Sequence, residues 1–270
     1  YVEYMVDDEE TKVIALIVDS VGDGKRFRQA MRKAREAGKP VVALKLGDSD
    51  LGKEATKAHS SHLAGGKEAY DAILRAEGVI RVPTLEALAI TASILAQGKR
   101  PKCDTVTACS TSGGGAIMMA DRFDEQGIKV GRFSEQTVKS VLESIRFQSA
   151  TIVNPFDLGL GGRYHYIENV RKIAGDPSTG VLVCYATPMA TEEKRVQMAH
   201  AFTDVTQDYP DLPVLVLFPG KIEADEAAVY QAAGVPIVVA LMAGKELPVE
   251  MALFMGLGSL PAFIFMPMVP

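Results

Sequence analysis

Val13-Ile14-Ala15-Leu16-Ile17-Val18 is an unbroken apolar run rich in β-branched residues. Such a run suits a parallel strand buried on both faces. Asp19 to Gly24 follows as a turn, with Asp23 placed to cap a helix. Phe27, Ala30, Met31 and Ala34 then recur at helical spacing, and Gly38 closes that helix. Pro40 to Leu46 is the next strand, Lys67 to Glu77 a helix, and Val79 to Val82 a short third strand. Thr84 caps a helix running to Gln97. Strands alternating with helices predict an α/β fold with a parallel sheet.

Gly98-Lys99-Arg100-Pro101-Lys102 is a charged break and the expected domain boundary. The pattern then restarts. Asp104 to Cys109 is a strand, Ser110 to Gly115 a small-residue turn, and Ala116 to Gln126 a helix. Later come strand Gly180 to Tyr185, helix Thr191 to Gln207, strand Leu212 to Phe218, helix Ala224 to Ala233 and strand Val235 to Ala240. The halves repeat each other: Tyr1 to Val13 is similar to Tyr166 to Val181, each a helix tail, an acidic turn and the start of a strand. The opening strand, glycine turn and helix of the second half have no counterpart in the first. The expectation is a chain that begins inside its first domain, with residues 1–100, 101–245 and an apolar 246–270 as its parts.

At 270 residues, one large domain or two ordinary ones fit. The hydrophobic share of 47% is ample for buried cores. A net charge of −5 gives no reason to expect nucleic acid or an anionic membrane as partner. Lys25, Arg26, Arg28, Arg32, Lys33 and Arg35 therefore read as a solvated helix face. Cys103, Cys109 and Cys184 are scattered, as free thiols in a reducing cytoplasm would be, and Tyr1 opens a polar segment, so no signal peptide is expected. Leu247 to Pro270 is apolar, but Pro248, Gly256, Gly258, Pro261 and Pro267 interrupt it too often for a lipid-facing helix, and it reads as a segment that docks on protein.

Polar chemistry concentrates between Lys57 and Asp71, in Lys57-Ala58-His59-Ser60-Ser61-His62-Leu63-Ala64-Gly65-Gly66-Lys67-Glu68-Ala69-Tyr70-Asp71. This stretch follows a polar loop, Gly47 to Lys53, and reads as a loop ahead of the Lys67 helix. A reactive side chain flanked there by small residues can be approached closely. By spacing alone, His59 is either a nucleophile or a loop histidine bonded to the backbone. His62 lies three residues on, with no Cys or carboxylate at ligand spacing, so no metal site is expected. His165 and His200 read as surface histidines, and Glu223, Asp225 and Glu226 as acids complementing a helix dipole.

The stretch resembles the phosphohistidine loop of the NDP-forming acyl-CoA synthetases, the family of ADP-forming acetyl-CoA synthetase and of the succinyl-CoA synthetase alpha subunit. Their loop reads roughly Ser-His-Thr-Gly-(Ser/Ala)-Leu-Ala-Gly before a Tyr-Asp-Ala helix. His59 takes the phosphohistidine position, and Leu63-Ala64-Gly65 and Tyr70-Asp71-Ala72 fall in register. Ser60-Ser61-His62 is a departure that adds an imidazole. Asn154-Pro155-Phe156-Asp157-Leu158-Gly159 is close to a typical Asn-Pro-Val-Asp-Leu, and the resemblance runs from Tyr1 to about Ala240. It implies two flavodoxin-like three-layer units with parallel sheets, the first N-terminally incomplete. It also implies a CoA-binding Rossmann domain and an ATP-grasp domain on the same chain or a partner subunit, and an oligomer. CoA, ATP or ADP with Mg²⁺, and a small carboxylic acid would be the ligands. No G-x-G-x-x-G fingerprint or Walker A is present, so the CoA and nucleotide sites would lie on those other domains.

The implied reaction runs through a phosphorylated His59, a role suited to the side chain whose unprotonated nitrogen is available near neutral pH. Asp19 sits directly after a strand, at the edge where open α/β sheets place their ligands. A carboxylate there can accept the far N–H of His59 and fix its tautomer. The resembling enzymes usually carry Glu at this point, one methylene longer. The competing reading of Asp19 is a turn aspartate. Ser110, Thr111, Ser112, Gly113, Gly114 and Gly115 can expose backbone N–H groups at a helix start, where phosphate binds. In the resembling enzymes such a helix helps hold the phosphoryl group. Two other classes stand beside this one. A regulatory or assembly module could retain the fold without catalysis. An FMN binder is poorly served, with no tryptophan and no aromatic pair in the loops after the strands.

Overall fold

The computed structural model describes residues 1–60, 67–145, 151–161 and 165–240, with side chains at 59, 60, 160, 161, 239 and 240 outside the description. Residues up to Gly98 form one compact unit, and the described residues from Lys99 onward form another.

The first unit runs α1 (Val2–Asp7), β1 (Ile14–Val18), α2 (Gly24–Glu36), β2 (Val41–Lys45), α3 (Asp50–Ser60), α4 (Lys67–Ala76), β3 (Ile80–Val82) and α5 (Leu85–Ala96). Its sheet is parallel, in the order β1-β2-β3, with Ile14 opposite Val41 and Val42 opposite Ile80. β2 is buried along its whole length. Its odd residues, Val41 and Ala43, join a core with Met31, Ala34 and Leu74, while Val42 and Leu44 join Ala87 and Leu88 on the other face. Two cores around one sheet make three layers. β1 departs from the expectation of burial on both faces. It is an edge strand among the described residues, and Ile17 is 58% exposed.

The α2 cap is as read. Asp23 Oδ1 accepts from Lys25 N and Arg26 N, both at 3.0 Å. At the far end Gly38 takes φ +69°, and Lys39 N donates to Ala34 O, which satisfies a last-turn carbonyl. Two readings need correction. The expected Gly47–Lys53 loop stops at Ser49, whose Oγ accepts from Gly52 N at 3.1 Å and so starts α3. The backbone of His59 therefore belongs to a helix rather than to a loop. The basic face of α2 is also more than a solvated surface. Arg28, Arg32 and Arg35 converge on Glu77 at 2.5, 3.1 and 3.3 Å, and that carboxylate is 1% exposed. Burial alone would push the Glu77 carboxyl up; the arginines outweigh it and hold it below the ordinary value.

The second unit runs β4 (Val106–Ser110), α6 (Gly113–Glu125), α7 (Glu135–Ser144), β5 (Phe156–Asp157), a 3₁₀ turn (Leu158–Gly161), α8 (Tyr166–Ala174), β6 (Val181–Tyr185), α9 (Glu192–Thr203), α10 (Val205–Asp208), β7 (Val214–Pro219), α11 (Ala224–Ala232) and β8 (Ile237–Ala240). The sheet order is β5-β4-β6-β7-β8, parallel throughout. Leu182, Cys184, Val214 and Val216 point into a core with Ile173, Phe202 and Tyr230, while Val183, Leu215 and Leu217 are buried outside that cluster. β5 is short and pairs with Cys109 and Ser110. Before it, the Asn154 side chain stands in for a strand, accepting from Ala108 N and donating to Val106 O and Gly131 O, all at 2.9 Å.

Here too the boundaries shift. α6 begins at Gly113, so the three glycines form its first turn instead of preceding it. The single helix expected over Thr191–Gln207 is interrupted at Asp204. α7 was not anticipated; Ser134 caps it, accepting from Thr137 N at 3.2 Å. The acids of α11 divide. Asp225 pairs with Arg195 at 2.7 Å, but Glu226 is 1% exposed beside the fully buried Tyr230. Burial, then the neighbouring Asp225 charge, pushes the Glu226 carboxyl up to about 7. Residues 246–270 lie outside the described residues.

Glu77 and Glu226 predict opposite pH slopes. Native Glu77 holds its proton less tightly than the unfolded chain does, so its stabilisation is present at neutral pH and fades as pH falls through the carboxylate range. Glu77→Gln should cost about 3 kcal/mol at pH 7 by urea unfolding, the difference shrinking toward pH 3. Native Glu226 keeps its proton up to about 7 against a reference of 4.5, so stability falls as pH rises through that window. Glu226→Gln should leave stability near wild type at pH 4 and raise it by about 1–3 kcal/mol at pH 8. Parallel pH profiles for wild type and either variant would contradict the assignment.

Candidate functional site

In the first unit the polar groups collect at the carboxyl ends of the strands. Asp19 follows β1 and is half-buried. Its Oδ1 accepts from Ser20 N at 2.5 Å and Ser20 Oγ at 3.2 Å, which is the turn role. Its carbonyl accepts from Lys45 Nζ at 2.9 Å. Lys45 ends β2, is 5% exposed, donates also to the Leu46 carbonyl, and lies 4.6 Å from the centre of the Tyr70 ring. Burial lowers its ammonium below the ordinary lysine value. Arg81 on β3 forks to Asp48, just before α3, and to Asp71 on α4. Lys45, Arg81 and Asp48 were not singled out from sequence. Their signal would have been three charged residues at or just past predicted strands, where a buried sheet normally ends.

The fold places Asp19 and the helix bearing His59 in the same unit. The His59 side chain and residues 61–66, including His62, lie outside the described residues, so an Asp19–His59 contact is not among the described ones.

Ser110 to Gly115 belong to the second unit. Ser110 ends β4, fully buried, and its Oγ accepts from Ser112 N at 3.0 Å. Thr111 Oγ1 lies 2.6 Å from Thr187 Oγ1 and accepts from Thr187 N at 3.0 Å, tying the loops after β4 and β6. Ser112 is the N-cap of α6 and makes no side-chain cap bond. The amides of Gly113, Gly114 and Gly115 start the helix, where no earlier turn supplies carbonyls. Gly113 and Gly115 are required by contact. A Cβ on Gly113 would stand 2.8 Å from Asp157 Oδ2, and one on Gly115 would stand 2.5 Å from Ser110 Oγ and 2.9 Å from Tyr185 Cδ1. Asp157, unassigned from sequence, thus faces the positive end of α6 while its Oδ1 accepts from Gly159 N at 2.8 Å. The arrangement can hold an anionic or hydrogen-bond-accepting group, in competition with that carboxylate.

No helix among the described residues is long and apolar enough to cross a membrane. Among the same residues no group of three or more His, Cys, Asp or Glu is placed to hold a metal ion.

A family model described as the succinyl-CoA ligase like flavodoxin domain matches residues 1–95. The alpha subunit of the ADP-forming acetate–CoA ligase II of Pyrococcus furiosus is 29% identical over 228 residues, covering 83% of this chain and 49% of that subunit. The ADP-forming acetate–CoA ligase I of Archaeoglobus fulgidus is 30% identical over 191 residues, 70% of this chain and 27% of that protein. Among solved structures, the dinucleotide-forming acetyl-coenzyme A synthetase 1 of Ca. Korarchaeum cryptofilum superposes with a TM-score of 0.78 at 17% identity, over 97% of this chain and 56% of that one. The last likeness is one of fold. The chain spans about half the length, or less, of the curated relatives it matches. Sequence and fold agree that the chain belongs to the NDP-forming acyl-CoA synthetase family.

Proposed function

We propose that this chain is the phosphoryl-carrying part of an acid–CoA ligase. The reaction interconverts acyl-CoA, ADP and phosphate with a carboxylic acid, CoA and ATP. The observation that carries the reading is the likeness, over 83% of the chain, to a subunit named for ADP-forming acetate–CoA ligation. CoA, the nucleotide and Mg²⁺ would be bound mainly by a Rossmann and an ATP-grasp domain, fused or on a partner subunit in a cytoplasmic oligomer.

Phosphate displaces CoA from acyl-CoA, giving an acyl phosphate and the free thiol. An imidazole nitrogen of His59 attacks that phosphorus and releases the carboxylate. ADP then attacks the phosphohistidine, giving ATP and the neutral ring. Phosphoryl transfer depends mostly on positioning and charge stabilisation. Asp19 would accept the other ring N–H of His59, fixing the attacking nitrogen and stabilising the cationic ring that forms on attack. The first-turn amides of Gly113 to Gly115 would offer phosphate a place on the second unit. Asp157 must turn from the α6 terminus for that to happen, since two anions cannot share it.

The complete enzyme, with any partner subunit, should incorporate phosphoryl from ATP with Mg²⁺ into an acid-labile, base-stable form. His59→Ala should abolish label and turnover, and His62→Ala should leave the label largely intact. Asp19→Asn should slow labelling by about a hundredfold with the unfolding midpoint unchanged. Normal turnover of the assembly with His59→Ala would instead favour a regulatory module that retains the fold.

A further inference from the structure

The His59 helix and the helix after it are tied to the sheet by one side chain. Arg81 is the middle residue of β3, in register with Ala43 of the buried β2. Its Nη2 reaches Asp48 Oδ2, and its Nη1 reaches Asp71 Oδ1. Asp48 is two residues before α3, the helix that includes the backbone of His59. Asp71 is on α4, one turn past its start at Lys67. All three side chains are a third exposed or less. Arg81 therefore spans the entry to one helix and the first turns of the next. Lys45 makes a second tie beside it, with its ammonium on the Asp19 and Leu46 carbonyls and the Tyr70 ring of α4 against it. The remaining oxygen of Asp48, Oδ1, is buried without a hydrogen-bond partner among the described residues. A carboxylate kept half-satisfied in such a place costs stability and is tolerated where it holds geometry.

We propose that Arg81 is a positioning residue for phosphoryl transfer, fixing α3 and α4 together through its fork on Asp48 and Asp71, with Lys45 and Tyr70 as the supporting tie. The proposal rests on His59 as the phosphoryl carrier. Its physical basis is the shape of guanidinium, which is planar and offers two separate pairs of donors at a fixed angle. A lysine carries the same charge on a single nitrogen and cannot reach two carboxylates that far apart with the fixed geometry of the guanidinium fork. Neutralising either Asp releases one helix while leaving the other held.

Two measurements test it. The first is the single-turnover rate of His59 phosphorylation in the complete enzyme. Arg81→Lys should lower that rate about tenfold or more, and Arg81→Gln about a hundredfold, with KM for nucleotide and CoA unchanged. Asp48→Asn and Asp71→Asn should each slow labelling, and together should cost less than the product of the two, because both act through Arg81. A merely structural role would lower the unfolding midpoint while leaving the labelling rate per folded enzyme alone. Labelling of Arg81→Lys at the wild-type rate overturns the proposal.

The second measurement is hydrogen exchange in the complete enzyme. Arg81→Gln should speed exchange of the α3 and α4 amides about tenfold or more, while those of α2 and α5 stay as in wild type. Equal exchange in wild type and variant overturns the proposal whether or not phosphorylation occurs. A wild-type enzyme that is never labelled on histidine would count against the proposed function, and the exchange experiment would still decide the coupling.

Discussion

A parallel strand buried on both faces has little room for charged side chains except at its ends. β2 and β4 are buried along every residue, and five of the six residues of β7 are buried. Chemistry is therefore forced out to the carboxyl edges of the two sheets. Asp19 follows β1, Lys45 ends β2, Ser110 ends β4, and Thr187 lies two residues past β6. The same constraint explains the glycines. Helix α6 must start directly against neighbouring strand ends, and at Gly113 and Gly115 the space for a side chain is already taken by Asp157, Ser110 and Tyr185.

Charges that remain inside are managed by number and geometry. Glu77 has three guanidinium partners, enough to outweigh the cost of burying its carboxylate. Those arginines are about half in water, so their own desolvation is small and the balance favours the ion cluster. Among the described residues Glu226 forms no ion pair of that kind: Arg195 is engaged by Asp225, and the Glu226 carboxyl is pushed toward its neutral form instead. Lys45 is a third solution, a buried ammonium solvated by two backbone carbonyls and an aromatic face. The three sites show why a basic helix face or an acidic helix start cannot be assigned from composition alone. What separates them is the residue opposite, which comes from a distant element.

That distinction also marks how far the sequence could be read. The parallel sheets, their alternation with helices and the Asp23 and Gly38 ends of α2 were legible, because each is a local pattern with a fixed period or a fixed backbone demand. The flavodoxin-like fold came from the resemblance around His59 and agrees with the relatives. The start of α3 was missed because Gly47 to Lys53 is polar and glycine-bearing, although Ser49 with Asp50 is a cap followed by an acidic first turn. α7 was missed for the same reason at Ser134. The Arg81 fork was out of reach, since its partners lie 33 and 10 residues away in sequence. The exposure of Ile17 was also out of reach: whether a strand is an edge depends on topology, and the run from Val13 to Val18 looks like that of a central strand.

Helix starts are the other place where this fold can meet negative charge. The first turn of a helix carries the positive end of the backbone dipole and amides that no earlier turn supplies with carbonyls. An anion is favoured there, and such amides need no reorientation as charge arrives. The glycines opening α6 make a terminus of this kind within the second unit, and the Asp157 carboxylate stands beside it. A phosphoryl group brings about two negative charges at neutral pH. For α6 to accept one, the Asp157 carboxylate would have to turn away, because two anions at one terminus repel each other. The carboxylate therefore sets the cost of filling that terminus with any other anion.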